Sequence, residues 1–377
     1  MEKPGRKRFP LRKLATYTEV PPHRIPGAQG LKASLADVAK RANSSLATVS
    51  RVLGGSQHPV SEATRARVLK AAEDVGYSAN PIARALVTKM TNTIGVIVGD
   101  ITDPYFAEIA RGVEDTAGAQ GFLTIVCNAD RNPAAEAAYF RMLLEHHAAG
   151  IMFAGGSYPN VPETQSLIQA VAQAAEARTQ IICLADRGFD AVPVISVDNR
   201  AALYDMTRHL ITLGHERIVF VEGPEGLSTS EQRHEGYEQA MREAGLEVPP
   251  RMTGGFGIES GRAAATAMLT QELPDAIIGA ADDTAIGLLL TLRQAGVQIP
   301  RRVSVVGIDD TKYSQLMDLT TVRLPTYELG ALGARQILDR SGSQRQARTI
   351  LSHRIVQRGS STWAARLIGA RTPGQAG

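Results

Sequence analysis

Ala47, Thr48, Ser50 and Arg51 fall together in the segment LATVSRVL, and the chemistry they offer is recognition of base edges rather than catalysis. Short side chains let a helix approach a major groove closely, and one arginine among them supplies hydrogen-bond donors. A second set of residues sits where apolar runs end. The turn DITDPYF carries Asp100, Asp103, Tyr105 and Phe106, and Asp186 and Arg187 follow QIICLA. Arg233 lies in SEQRHEGY, Phe256 in GGFGIESG, and Asp309 closes VSVVGID. Aromatic faces can stack on a ring, while carboxylates and guanidinium groups give directional bonds to hydroxyls or anionic groups. Each residue also has a plainer use: Phe256 as core, Asp309 as the cap of a following helix.

The first set needs a compact helical unit to present it. Leu35, Val38, Ala39 and Ala42 repeat at helical spacing and predict a first short helix with one apolar face. Asn43 and Ser44 break it, and Ser45 can cap a second helix, roughly Leu46 to Leu53. That helix turns Val49, Val52 and Leu53 inward and leaves Ala47, Thr48, Ser50 and Arg51 outward. Ser61 can cap a third helix to about Gly76, with Ala63, Val68, Ala71, Ala72 and Val75 as its apolar side and Arg65, Arg67 and Lys70 available for phosphates. Tyr77 closes the small core. The segment from Pro81 to Leu86 begins with a proline suited to a first helical turn, and is too short to be stable alone. It reads either as an element that orders only on DNA or as a simple linker.

Charge follows the same division. Residues 1–90 hold sixteen Lys and Arg against six Asp and Glu, a balance of +10, so a chain total of +3 leaves −7 for the remainder. A strongly basic end on a near-neutral chain is the footprint of phosphate contact. Residues 1–33, with Pro4, Pro10, Pro21, Pro22 and Pro26 and few apolar residues, are expected to be a disordered basic extension.

The second set needs a scaffold that gathers strand ends. The runs TIGVIVGD, FLTIVCNAD, AGIMFAGG, QIICLAD, VISVDN, RIVFVEG, AIIGAAD and VSVVGIDD alternate with amphipathic helical stretches. That alternation predicts an α/β body of doubly wound parallel sheets, in which ligands bind beyond the carboxyl ends of the strands. No run approaches the ~20 apolar residues of a membrane span, and the basic N-terminus lacks the apolar core of a signal peptide. Cys127 and Cys183 lie inside apolar runs and read as buried thiols in a reducing cytoplasm, not as a disulfide.

The phrases LADVAKRA, ATVSRVL, VSEATRARVLKAAEDVGY, NPIARAL, IGVIVGDITDPYFAEIARGVEDTA, ISVDNRAA, GHERIVFVEG, SVVGIDD, LTTVRLPTYELG and VQRGSS run in order from about Ser34 to Ser361. Through them the chain resembles the lactose-repressor/galactose-repressor family of bacterial transcription regulators. The resemblance implies an N-terminal all-α helix-turn-helix head over residues 34–79 and a hinge over 80–92. It implies a two-lobed, periplasmic-binding-protein-like body over 93–361, followed by a flexible tail over 362–377. The first lobe would comprise about 93–196 and 323–350, the second about 197–322 and 351–361. On the DNA side it implies that Arg51 reads guanine, that Leu46 and Ala47 tune operator choice, and that Leu86 wedges into the minor groove. Ser34, Thr48, Ser50, Asn80 and Ala83 complete that expected surface. It places an effector, a sugar or sugar derivative as far as the family goes, between the lobes against Tyr105, Phe106, Asp186, Arg187, Arg233, Phe256, Asp282 and Asp309.

The chain also departs from the family pattern. GGSQHPV is one residue longer than in the lactose repressor, Ala281-Asp282-Asp283 replaces a common Asn-Asp, and Leu324 stands where a ligand-contacting glutamine is found there. The expected partners are double-stranded DNA with a pseudo-palindromic operator, the effector, and a second copy of the chain in a homodimer, since AARLIGARTPGQAG lacks leucine heptads. No membrane partner, cofactor or metal is expected. An exported solute-binding protein would need a signal peptide and no DNA head. An enzyme would need a motif such as GxGxxG after the first strand, GxxxxGK[ST] or HExxH, none of which is present, and the adjacent His146 and His147 on a helix make no zinc spacing. The carboxylates Asp282, Asp283, Asp309 and Asp310 are better explained by turns, caps and ligand hydrogen bonds than by catalysis.

Overall fold

A computed structural model describes residues 33–53, 59–77, 90–175, 179–189, 192–339 and 347–364. The chain divides into two compact units, Met1–Asn80 and Pro81–Gly377.

The first unit is built on α1 (Leu35–Ala42), α2 (Leu46–Leu53) and α3 (Glu62–Asp74). Ser34 and Asp37 form a reciprocal capping box at the start of α1, and Asn43 ends that helix in the left-handed conformation. Ser45 accepts from the Thr48 N–H at 3.1 Å, so α2 begins where its cap residue predicts. Val38, Ala42, Val49, Val52, Val68, Ala71 and Ala72 form the core, with Val75 and Tyr77 packed on it. Ala63 is exposed instead of joining that core. At about 100° per residue it lies roughly 140° around α3 from Val68, on the opposite side. Arg67 is partly committed as well: its Nε donates to the Ala42 carbonyl at 3.0 Å, satisfying an end of α1 that no intrahelical bond reaches.

The second unit holds two sheets. The first is wholly parallel, in the order β10-β5-β4-β3-β1-β2, formed by β1 (Thr93–Val98), β2 (Leu123–Asn128), β3 (Gly150–Phe153), β4 (Gln180–Cys183), β5 (Val194–Val197) and β10 (Arg348–Leu351). The second runs β11-β9-β8-β7-β6, from β6 (Ile218–Val221), β7 (Ala276–Gly279), β8 (Ser304–Asp309), β9 (Thr320–Arg323) and β11 (Arg354–Val356), parallel except for the β11–β9 pair. Every apolar run read from the sequence is a strand. The short strands β9, β10 and β11 were not among those runs; β10 and β11 are edge strands, and β10 takes its place beside β5, far from it in sequence. Val197 and Leu351 pair within the first sheet and Arg323 within the second, so the chain crosses between the sheets beyond these residues.

Helices α4 (Pro104–Gly118), α5 (Pro133–Glu145), α6 (Pro162–Ala175) and α12 (Thr326–Leu338) accompany the first sheet. Helices α7 (Asn199–Thr212), α8 (Ser228–Glu243), α9 (Ile258–Met268), α10 (Asp282–Gln294) and the short α11 (Lys312–Leu316) accompany the second. Asp103 and Asn132 cap α4 and α5 directly ahead of prolines, which fixes where the chain leaves β1 and β2. Helices α4 and α12 cross at two glycines: a Cβ on Gly112 would strike the Tyr327 carbonyl, and one on Gly330 the Ile109 carbonyl. His146 caps α5 and His147 adopts a positive φ, so this pair lies in the turn after the helix rather than on it. Cys127 and Cys183 are buried free thiols. Among the described residues no helix is long and apolar enough to cross a membrane.

Candidate functional site

On the head, α2 buries Val49 and Val52 and exposes Ala47, Ser50 and Arg51 beside Leu46, which is 54% exposed. Thr48 is half-buried, its hydroxyl 2.8 Å from that of Ser45. Ser34 is used locally, its N–H and hydroxyl both bonded to Asp37. Asn80, Ala83 and Leu86 lie outside the described residues, as does the loop 54–58.

In the body, the carboxyl ends of both sheets face a cleft. A cavity lies there, lined by residues from both lobes, among them Asp103, Tyr105, Phe106, Arg131, Arg233, Phe256 and Asp309. Backbone strain gathers at its edges: Asp130 and Arg131 after β2 have φ of 52°, and Asp309 and Asp310 at the end of β8 have φ of 116° and 57°. Non-glycine residues held this way mark positions that the surrounding structure over-determines.

Arg233 is 6% exposed, donating from Nε to Asn199 Oδ1 at 2.9 Å and from Nη1 to the Ala280 carbonyl at 2.5 Å. Its Nη2 stands 3.9 Å from Asp309 Oδ1, too far for a hydrogen bond, and that buried oxygen has no partner. Burial pushes the Asp309 carboxyl well above its ordinary range, against the opposing pull of Arg233. Asp103, also desolvated, is raised although it caps α4 and meets Arg131. Phe256 lies between two guanidinium groups, with Arg131 5.2 Å and Arg233 5.8 Å from its ring centroid, and Arg131 also stands 5.7 Å from the Phe106 ring. The arrangement offers aromatic faces, one orphaned carboxylate oxygen and an adjacent guanidinium N–H to a bound molecule.

Not every expected site residue reaches this cavity. Arg187 lies behind the wall, donating to Glu136 at 2.5 Å and to the carbonyls of Gly155 and Gly156, so it shapes the cavity without lining it. Asp186 turns away and pairs with Arg348 on β10 at 2.5 Å. Asp282 is fully buried below the cavity, accepting from the Thr311 N–H at 2.7 Å and the Thr321 hydroxyl at 2.6 Å, and it is Ala281 that faces the cavity. Asp310 is bound to Arg358 at 2.6 Å, and Leu324 is a core residue, 2% exposed. Among the described residues no group of three or more His, Cys, Asp or Glu is arranged to hold a metal ion. Arg131 and Asn199, absent from the sequence reading, line the cavity. Both follow apolar runs, NADR after β2 and VDN after β5, which was the available signal.

Residues 34–80 match the model of bacterial regulatory proteins of the lacI family, and residues 91–355 that of periplasmic binding proteins and the sugar binding domain of the LacI family. The chain belongs to the LacI family. Like its curated relatives, this LacI-family chain is a DNA-binding transcriptional regulator. It is 33% identical to the transcriptional repressor CytR of Escherichia coli K12 over 324 residues, 84% of this chain and 92% of that one. A structure of the regulator CelR in complex with cellobiose matches with 27% identity and a TM-score of 0.62 over 88% of this chain and 100% of that one. The lac repressor dimer bound to operator and the anti-inducer ONPF shares the fold, with a TM-score of 0.75 at 23% identity over 88% of this chain and 100% of that one.

Proposed function

We propose that this LacI-family regulator is a homodimeric, cytoplasmic repressor whose hold on a pseudo-palindromic operator is set by a small molecule, a carbohydrate or close derivative, in the cleft between its lobes. Catalysis has no part in this reading. Arg51, Leu46, Ala47, Thr48 and Ser50 would meet the bases, with Asn80, Ala83 and Leu86 in a hinge reaching the minor groove. Tyr105, Phe106, Arg131, Arg233, Phe256 and Asp309 would meet the effector. The observation that carries the reading is the unpartnered Asp309 Oδ1 beside Arg233 in an aromatic-walled cavity between the lobes. A buried acceptor left without a bond is costly, and a ligand hydroxyl would supply it. The effector acts only through a difference in affinity between lobe arrangements, which changes how the two heads engage half-sites. The repressor CytR and the cellobiose-bound CelR, as relatives, point the same way.

The second copy has a surface to meet. Ile258, Tyr313, Leu316 and Met317 line a groove at one side of the body, with Leu316 79% exposed, and the edge strand β2 exposes Leu123 at 63% with Ile125 and Val126. Exposed apolar groups in such patches mark protein contacts. Fluorescence titration of the full chain against DNA from its own upstream region, with and without candidate sugars, tests the reading. Operator affinity that moves with one sugar supports it, and indifference to duplex DNA at modest ionic strength overturns it.

A further inference from the structure

Each guanidinium at the cleft already has a carboxylate from the protein. Arg131 donates to Asp103 at 2.9 Å and to Asp100 at 3.3 Å. Arg187 is paired with Glu136, and Arg233 faces Asp309. Three guanidinium groups thus meet four carboxyl groups, so none of the three is left without a carboxyl partner for an added anion. At the cavity wall Asp309 Oδ1 is an unsatisfied acceptor with Arg233 Nη2 3.9 Å away, while the unpartnered Nε of Arg187 lies behind the wall. A hydroxyl group both donates and accepts, so it can serve the two together. A phosphate brings a charge of about −1.5 to −2 and oxygens that only accept. Seated against Asp309 it would leave that oxygen unsatisfied, and seated beside the Arg131 carboxylates it would meet repulsion strengthened by the low local dielectric. Phe106 and Phe256 offer faces on which the C–H side of a ring can lie.

We propose that the cleft selects an uncharged polyhydroxylated ring compound over its phosphate ester, with Arg131 and its partners Asp100 and Asp103 as the selecting element. The proposal rests on the reading of the cleft as the effector site. The left-handed turn at Asp130 and Arg131 points the guanidinium at both carboxylates, so its charge is spent within the protein. Asp103 caps α4 and Asp100 caps its own turn through Thr102, roles that asparagine also fills.

Calorimetric titration of the full-length protein with neutral aldopentoses, aldohexoses, disaccharides and ribonucleosides, each beside its phosphate ester, tests this. At least one neutral compound should bind, with its ester weaker by about tenfold or more. In Asp103→Asn, and in Asp100→Asn should the first fold poorly, the same ester should regain roughly tenfold relative to its parent. An ester that binds the wild type as tightly as its parent overturns the proposal, and so does a preference unchanged in both variants. Silence across all neutral compounds also overturns it, whereas loss of operator binding would strike the reading beneath it.

Discussion

Arg233 Nη2 and Asp309 Oδ1 confront one another 3.9 Å apart, each side chain 7% exposed, and nothing in the protein hydrogen-bonds that carboxylate oxygen. Two buried opposite charges at that separation are stabilised by attraction but lack the hydrogen bond that would complete the pair. Replacing the carboxylate by the isosteric amide removes the charge and keeps the volume. Asp309→Asn should weaken effector binding roughly ten- to a hundredfold, the worth of a charge-assisted hydrogen bond of about 1.5–3 kcal/mol. Operator binding in the absence of effector should remain. Parallel calorimetry and gel-shift titrations check both halves, and an unchanged effector affinity would remove Asp309 from the site.

The same carboxyl carries a pH dependence with a definite sign. Burial raises its pKa in the folded protein above the unfolded value of about 3.9. The folded state therefore holds this proton more tightly, and Asp309 costs stability as pH rises from the unfolded value through the folded one. Asp309→Asn should melt higher than wild type at neutral pH, with the difference shrinking toward pH 4. A ligand hydroxyl that donates to the carboxylate favours the ionised form, so wild-type affinity should fall as pH drops through the raised pKa, and the variant should show no such slope. Melting curves and titrations at stepped pH read both effects, and parallel pH profiles for the two proteins would contradict the assignment.

The residues that do gather at the cleft were legible for a topological reason. Tyr105, Phe106, Phe256 and Asp309 follow or close parallel strands, or sit in the loops beyond them, and a doubly wound sheet brings such ends to one side. Arg131 occupies an equivalent place after β2, yet its role depends on two left-handed residues and two carboxylates from another loop, none of which has a sequence period. Asp282 failed by one position. Adjacent residues at a helix start point about 100° apart, so Ala281 meets the cavity while Asp282 points into the protein. Asp186 was misplaced because its partner Arg348 arrives on β10, an edge strand whose position a local pattern cannot reveal. On the head, the 3.6-residue period sorted Val49 and Val52 from Ala47, Ser50 and Arg51 correctly, but spacing could not show that Arg67 turns back to the Ala42 carbonyl.

Two basic residues of the head should separate under mutation. Arg51 projects from the exposed face of α2, whereas Lys70 is exposed on α3. Arg51→Ala should lose about 1–3 kcal/mol on the preferred operator and little on scrambled DNA. Lys70→Ala should weaken both alike and reduce the slope of log affinity against log salt by about one. Salt-stepped anisotropy titrations on both duplexes discriminate the two, and a uniform loss in Arg51→Ala would deny it a role in base reading.

The crossing of α4 and α12 gives a test of the body that touches neither DNA nor ligand. Gly330 lies against the Ile109 carbonyl with no room for a Cβ, and Gly112 lies against that of Tyr327. Gly330→Ala must therefore push the helices apart, a strain of about 1–3 kcal/mol, even though alanine favours helix by up to about 1 kcal/mol. Thermal melting should show a lower transition in Gly330→Ala. A higher one would mean that the helices slide apart freely.

Leu316 decides the last prediction, because among the described residues it is the most exposed large apolar side chain. At 79% exposed it stands at the rim of the groove lined by Ile258, Tyr313 and Met317, and no buried contact within the chain would be lost by making it polar. Leu316→Asp should leave the melting of an isolated body nearly unchanged while placing an unpaired charge in any interface formed there, a change that costs several kcal/mol when desolvated. Sedimentation velocity should then show monomers at concentrations where the wild type is dimeric. Operator affinity should fall with it, since one head alone meets only one half-site. A dimer that survives Leu316→Asp intact would move the contact elsewhere on the body, with the exposed apolar edge of β2 next to be substituted.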